Sequence, residues 1–225
     1  MSGLSRYWRR RISRHAAIAL FGALVGTAVI VLLGDEGIPV FRLSMATAYA
    51  SLALLACSLL VGPVNVIRRR ANPVSSDLRR DVGIWAGVFA VAHVVFGLQV
   101  HLPGRMLEYF LWSPDEARAI PVRYDWAGLT NWSGLIATLV LLALLVISND
   151  AALRRLGTAR WKFIQRWSYA GFALIAVHGA IYQVLEDRPA SWILVFALVI
   201  ALVGVLQTLG ARARVTRGNP KGPPQ

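Results

Sequence analysis

Two histidines lie inside long apolar stretches of this sequence of 225 residues. His93 lies in VFAVAHVVFGLQVHL (residues 88–102), and His178 lies in ALIAVHGAI (residues 173–181). Ionisable side chains inside a lipid bilayer are rare and usually functional. Imidazole is a common axial ligand of haem iron, so two such rings facing each other would hold a flat macrocycle between them.

The elements that must position these rings are membrane-spanning helices. The chain is 56% hydrophobic, which is too apolar for an ordinary soluble domain. Crossing the hydrocarbon core takes about 20 apolar residues. Six segments qualify and predict an all-α polytopic membrane protein, a bundle of six transmembrane helices. They cover residues 16–33, 43–67, 82–102, 129–147, 167–185 and 192–209.

The two histidines are predicted to lie at the same depth. His93 lies 12 residues after Asp81, the last charge before the third helix, and His178 lies 12 residues after Arg166, the last charge before the fifth. Both helices run in the same direction, so both rings lie about 18 Å from the same membrane surface. This matched depth predicts haem held between the third and fifth predicted helices, with no other charge expected inside the bundle.

The buried histidines and their small neighbours also fit a bundle without haem. A single buried histidine can form a hydrogen bond between helices, and the small residues around both histidines suit close helix packing as well as a macrocycle. Zinc is disfavoured because no third ligand is predicted at that depth. The remaining histidines, His15 in the basic flank and His101 at the end of the third helix, are expected at the membrane surfaces.

The basic residues are concentrated on one side of the predicted bundle. Both termini and the loops 68–81 and 148–166 share that side, which carries 19 of the 24 Lys and Arg residues. The positive-inside rule places it in the cytoplasm. Topology and anionic lipid therefore account for the net charge of +13, and nucleic acid is not an expected partner.

Three regions follow from these patterns. They are a basic cytoplasmic N-terminus (residues 1–15), the transmembrane haem domain (16–210) and a cytoplasmic tail expected to be disordered (211–225). The longest external connection contains MLEYFLW (residues 106–112), which is predicted to form a short helix on the membrane surface.

Three stretches resemble the ferric reductase-like transmembrane domain family. They are SSDLRRDVGIWAGVFAVAH (75–93), NW.G (131–134) and SNDAALRRLGTARWKFIQRWSYAGFALIAVH (148–178). The resemblance extends over roughly residues 45–210 and is nearest to the haem-b membrane subunits of bacterial periplasmic methionine sulfoxide reductase systems. It implies a six-helix bundle of the inner membrane that binds b-type haem and passes electrons across the membrane.

One motif departs from the family pattern. Where the family usually has RW..LHR, this chain has RWKFIQRW, so Gln165 replaces a second histidine 13 residues before His178. Glutamine is a poor haem ligand, and we therefore expect one haem, on the outer side. Arg79 lies near the same inner level as Gln165, and the two together could bind an anion such as a flavin phosphate or a haem propionate. Positive-inside anchoring by Arg79 and an interfacial position of Gln165 are the simpler explanation.

Two functions are compatible with the sequence. The first is an electron-transfer subunit, a ferric reductase-like oxidoreductase component without catalytic residues of its own. Its electrons would come from a quinol or a flavoprotein on the cytoplasmic side and leave to a periplasmic acceptor protein, with a flavin or quinone near Arg79 filling the inner gap. The alternative is a haem-free membrane assembly or interaction protein in which His93 and His178 are hydrogen-bonding residues.

Overall fold

The computed structural model describes residues 3–70, 76–116 and 118–218. Within these ranges the regular secondary structure is helical, apart from one isolated β-bridge between Leu111 and Val122. Short 3-10 helices cover Met106–Tyr109 and Pro114–Glu116. The α-helices are α1 (Gly3–Leu33), α2 (Pro39–Ile67), α3 (Ser76–Gly97), α4 (Trp126–Val146), α5 (Asp150–Gln165), α6 (Trp167–Leu185) and α7 (Ala190–Gly218).

Six helical segments of the described chain are long and apolar enough to cross a membrane. They correspond to α1, α2, α3, α4, the α5–α6 segment and α7. The predicted all-α polytopic fold with six transmembrane helices is confirmed, and the protein is a multi-pass membrane protein. The third and fifth predicted helices are α3 and α6.

The bundle has two ends, which we call the terminal face and the loop face. At the terminal face the starts of α1, α3 and α5 meet through ion pairs that join Arg14 to Asp81 and Arg80 to Asp150. The loop face carries the connections 34–38, 98–125 and 186–189. There His101 Nε2 lies 3.2 Å from Glu186 Oε1, which ties the end of α3 to the end of α6.

Helix α2 lies at the centre of the bundle. It packs against α1, α3 and α7, and its Leu54 and Leu59 are almost completely buried. The two histidine-bearing helices have different main partners, because α3 packs mainly on α2 whereas α6 packs mainly on α4. These two helix pairs form opposite walls of the loop-face half of the bundle.

The connection 148–166, expected to be a loop, contains helix α5. Asn149 caps its first turn by accepting a hydrogen bond of 2.8 Å from the Ala152 backbone N–H. Gly157, at a left-handed φ of 73°, interrupts the helix. Trp161 is buried and its indole N–H donates to the Ile147 carbonyl, 3.0 Å away. A search for long apolar segments misses this helix because only one of its faces is apolar.

Three helix ends also differ from the expectation. Helix α3 ends at Gly97 rather than at residue 102, and the Tyr109 hydroxyl accepts hydrogen bonds from the freed backbone N–H groups of His101 and Leu102. The basic N-terminal region is already helical from Gly3. Helix α7 continues to Gly218 through Ala and Arg residues that favour helix, so the expected disorder is wrong for residues 211–218. Residues 219–225 lie outside the described residues.

Candidate functional site

His93 on α3 and His178 on α6 face each other across the bundle. Their ring centroids are 6.2 Å apart, and the ring planes are inclined by 76°. The matched depth predicted from the sequence therefore brings the two imidazoles together, although α3 and α6 pack mainly on other helices.

The His93 ring is held by α2. Its Nδ1 lies 3.0 Å from the Ser44 carbonyl oxygen and 3.2 Å from the Ser44 hydroxyl. A carbonyl oxygen can only accept a hydrogen bond, so Nδ1 must carry the proton. The proton on Nδ1 leaves the lone pair of the neutral ring on Nε2.

The His178 ring is held in the same way by α4. Its Nδ1 donates to the Thr130 carbonyl oxygen, 2.8 Å away. The Thr130 hydroxyl in turn donates to the His178 carbonyl, 2.9 Å away, so the two residues are joined twice. Among the described residues, none forms a hydrogen bond with Nε2 of His93 or His178. Metal-binding histidines commonly use one nitrogen for such an anchor and the other for the metal.

The spacing of the rings fits a shared metal ion. Metal bonds to imidazole nitrogen are about 2 Å long, so rings that bind one metal from opposite sides have centroids about 6 Å apart. The observed separation of 6.2 Å agrees with this value. The ring separation is therefore compatible with a haem iron bound by both imidazoles.

Both rings line a cavity of about 260 Å³. Its deeper wall is apolar, whereas polar side chains surround its end at the loop face. Residues of the deeper wall are Leu52, Ala90, Ala137, Leu141 and Ile175. Mostly apolar cavities with a few fixed polar groups are typical of cofactor sites.

The NW.G motif of α4 supports the His178 side of this cavity. A Cβ atom at Gly134 would lie 2.5 Å from His178 Nδ1, so only glycine allows the ring its observed position. Asn131 accepts a hydrogen bond of 2.8 Å from the Tyr182 hydroxyl and donates one of 3.1 Å to the Tyr109 carbonyl. The motif thus joins α4, α6 and the loop face around the ring.

Residues 47–176 match the ferric reductase like transmembrane component family. The chain belongs to this family. The matched segment contains His93 and ends two residues before His178.

Curated relatives agree with this assignment to the ferric reductase-like family. The protein-methionine-sulfoxide reductase heme-binding subunit MsrQ of Deinococcus radiodurans is 30% identical over 180 residues, which cover 80% of this chain and 79% of that protein. The subunits of the same name from Yersinia pseudotuberculosis and Yersinia pestis are each 29% identical over 161 residues. Those matches cover 72% of this chain and 71% and 70% of the two relatives.

Glycines on the two histidine-bearing helices mostly serve helix packing in this member of the ferric reductase-like family. A Cβ at Gly87 would contact Leu145, one at Gly171 would contact Leu141, and one at Gly179 would overlap the Phe196 ring. The packing alternative is therefore the better explanation for these three positions. The glycine that accommodates a histidine ring most closely is Gly134, on α4.

Arg79 and Gln165, the other predicted site residues, have separate local partners. The Arg79 guanidinium lies 5.8 Å from the centroid of the Tyr169 ring. Gln165 donates to the Ser148 hydroxyl at 3.4 Å, close to the limit for a hydrogen bond. Their joint binding of an anion stays a prediction.

The terminal face holds a charged cluster that the sequence pattern does not reveal. Asp81 is completely buried, contrary to the expectation that the bundle encloses no other charge. Its carboxylate lies 2.5 Å from Arg14 Nη2 and 3.5 Å from His15 Nε2. His15 borders this cluster with a side chain that is 27% exposed, and its Nδ1 accepts a hydrogen bond of 3.2 Å from the Trp85 indole. The expected surface position of His101 is confirmed, since its side chain is 44% exposed at the loop face.

Among the described residues there is no group of three or more His, Cys, Asp or Glu side chains that could hold a metal ion. The site around His93 and His178 thus offers two protein ligands on opposite sides. That arrangement suits a metal whose other ligands come from a macrocycle.

Proposed function

We propose that this chain is a b-type haem subunit that passes electrons through the membrane. The observation that carries the proposal is the pair of rings, His93 and His178, each anchored at Nδ1 by a main-chain carbonyl and separated by 6.2 Å. Membership of the ferric reductase-like family and the relatives named as heme-binding subunits support it. We expect one haem, between α3 and α6.

The roles of the protein residues follow from the site. Bound haem iron would supply one-electron transfer, and its potential is set by the axial ligands and their surroundings. Ser44 and Thr130 fix the tautomer and orientation of the two rings through their carbonyl oxygens. The apolar wall keeps water from the deeper part of the cavity.

We infer the direction of electron flow from the topology that the charge distribution predicts and from the expected partners on each side. The terminal face carries most of the Lys and Arg residues, so we place it and both termini in the cytoplasm, within a bacterial inner membrane. Electrons then enter at the terminal face from a quinol or a flavoprotein and leave at the loop face. The relatives' name indicates a protein-methionine-sulfoxide reductase partner as the acceptor.

A second cofactor near Arg79 and Gln165 would shorten the distance from the terminal face to His93. The stacking of Arg79 near Tyr169 supports an aromatic, cationic boundary there, which suits a flavin or a quinone. This extension is separate from the histidine site and does not depend on it.

The alternative, a haem-free assembly protein, finds support in the hydrogen bonds that both histidines form to neighbouring helices. Those bonds use Nδ1 only. They leave unexplained the spacing of the rings and the lone pairs on both Nε2 atoms.

Absorption spectra of the detergent-purified protein, oxidised and then reduced with dithionite, test the proposal. We expect a six-coordinate b-type spectrum with about one haem per chain, lost in His93→Ala and in His178→Ala. His15→Ala and His101→Ala are matched controls, and both should keep the haem. A colourless protein from haem-replete cells, or haem retained by both ligand variants, would contradict the proposal. Two haems per chain would show that Gln165 does not mark the loss of a second site.

A further inference from the structure

The cavity that both histidines line is polar at one end only. In its deeper part the hydroxyls of Ser51 and Thr138 are already used, because they donate to the carbonyls of Ala86 and Gly134. At the loop-face end several further polar side chains line the cavity. These side chains are Tyr49, Tyr109, Asn131, Tyr182, Gln183 and Arg188.

Arg188 places a permanent positive charge at this end. Among the described residues that line the cavity, no other Arg or Lys is present. The left-handed Asp187 (φ 45°) turns the chain after α6, and the Arg188 guanidinium lies 4.6 Å from the centroid of the Phe41 ring. Its side chain is only 15% exposed. The turn and the stacking therefore hold the charge against the bundle rather than in solvent.

The carboxylate already near Arg188 leaves the guanidinium with spare capacity. Glu186 Oε2 lies 3.6 Å from Arg188 Nη2, too far for a strong hydrogen bond, while Glu186 Oε1 lies 3.2 Å from His101 Nε2. A guanidinium has five N–H donors and suits bidentate binding of a carboxylate. Arg188 can thus bind a further carboxylate while Glu186 stays paired with His101.

Gln183 provides a second polar group, and its side-chain oxygen lacks a hydrogen-bond partner among the described residues. The residue is 8% exposed, its Nε2 donates to the Tyr49 hydroxyl at 3.2 Å, and its Oε1 has no hydrogen-bond partner among the described residues. A buried polar atom without a partner is costly. Rotation of the amide by 180° would let the Tyr49 hydroxyl donate to Oε1 and would offer the NH2 group to a carboxylate ligand instead.

We propose that the loop-face end of the cavity is a carboxylate-binding pocket, in which Arg188 and Gln183 hold the propionate groups of the haem. The inference rests on the proposed function and adds an orientation to it. The macrocycle binds with its carboxylate edge toward the loop face and its apolar edge toward Leu52, Leu141 and Ile175. The reverse orientation would bury two carboxylates against an apolar wall without a cation, which is strongly unfavourable.

Haemin and its dimethyl ester separate this pocket from the iron site, because the ester keeps the iron and lacks the charges. The full-length protein, purified from haem-deficient cells, is titrated with each porphyrin, and binding is followed by the absorption spectrum. We expect haemin to bind at least about tenfold more tightly than the ester, the equivalent of one charge-assisted hydrogen bond. Arg188→Gln should weaken haemin binding by a similar factor and leave binding of the ester unchanged.

Two variants complete the test. Arg188→Lys keeps the charge and should retain part of the preference for haemin. Arg105→Gln is the matched control, because Arg105 is a loop-face arginine that pairs with Glu108 and does not line the cavity. Equal affinities of the wild-type protein for haemin and the ester, or a full preference kept in Arg188→Gln, would overturn the pocket. If neither porphyrin gives a histidine-ligated spectrum, the proposed haem function fails, and the pocket fails with it.

Discussion

The two ends of the bundle use their histidines in different ways. At the terminal face, both ring nitrogens of His15 face protein groups, with the Trp85 indole donating to Nδ1 and the Asp81 carboxylate within ion-pair range, 3.5 Å from Nε2. In the loop-face half, His93 and His178 each have a partner on Nδ1 alone. All three rings are partly or largely enclosed by helices. The unused nitrogen, rather than burial, therefore distinguishes a candidate ligand from a structural histidine.

The surroundings of these histidines also differ in whether their charged and polar groups pair with one another. The carboxylate of Asp81 is matched by Arg14 and Arg80, and Arg80 continues the network to Asp150 at 2.6 Å. That network pairs each charge with an opposite charge of the protein itself, although neither carboxylate oxygen of Asp81 accepts a hydrogen bond of good geometry among the described residues. The loop-face half instead surrounds a cavity, with polar groups at one end and two imidazoles in its walls. The terminal-face cluster holds helices together, whereas the loop-face site has capacity for a ligand.

The largest expected effect is the loss of haem in Gly134→Ala. The new Cβ would lie 2.5 Å from Nδ1 and 2.7 Å from Cε1 of His178, so the ring must move away from the Thr130 carbonyl. Haem per chain, measured from the reduced spectrum, should fall well below that of the wild type. Gly171→Ala is the control, since its Cβ would meet Leu141 and Val140 at an ordinary 3.5 Å. A wild-type spectrum in Gly134→Ala would show that this contact does not set the ring position.

A smaller effect, on stability alone, is expected from Asp81→Asn. Removal of the charge from the buried Asp81 carboxylate costs about 2 kcal/mol, less than for a fully buried pair because the Arg14 side chain is 36% exposed. Thermal unfolding in detergent measures the loss, and the haem spectrum should not change. Asp77→Asn, at a carboxylate that is 66% exposed, should have no measurable effect. A changed spectrum in Asp81→Asn would mean that the two ends of the bundle are coupled.

The smallest effect concerns the start of α4, which carries the loop-face anchors. Asp125 caps this helix by accepting from the Gly128 N–H at 2.7 Å. A hydrogen bond from Arg123 is the main cause of the lowered pKa of Asp125. Its stabilisation is therefore complete above the ordinary pKa of an aspartate and is lost as the pH falls through the lowered value.

For this partly exposed pair we expect about 0.5 kcal/mol. Unfolding measured from neutral to acidic pH should show a steeper loss of stability in the wild type than in Asp125→Asn, which keeps a capping oxygen but does not titrate. Identical pH profiles would indicate that the Arg123 pair contributes nothing to the anchoring of α4.

The sequence predicts the fold and the two histidines of the site, but not the groups that anchor them. Hydropathy identifies the six crossings because the bilayer demands long apolar helices, and counting from Asp81 and Arg166 brings His93 and His178 to one depth. The anchors could not be predicted, because every residue has a carbonyl group and only the packing of α2 and α4 selects Ser44 and Thr130. Asp81 resembles a boundary charge in the sequence because its partner Arg14 lies on a different helix, which hydropathy does not position.

Because main-chain oxygens anchor both histidine rings, few substitutions can remove these anchors. A substitution at position 44 or 130 changes a side chain but leaves the carbonyl that accepts from Nδ1 in place. Such a substitution would therefore keep the main-chain contact that orients the ring, although a change of Thr130 would also remove the hydrogen bond from its hydroxyl to the His178 carbonyl. Only a change in the path of α2 or α4, such as one caused by a proline, would remove an anchor. The orientation of the two rings thus depends on the geometry of α2 and α4, and a comparison of side chains between sequences would not detect it.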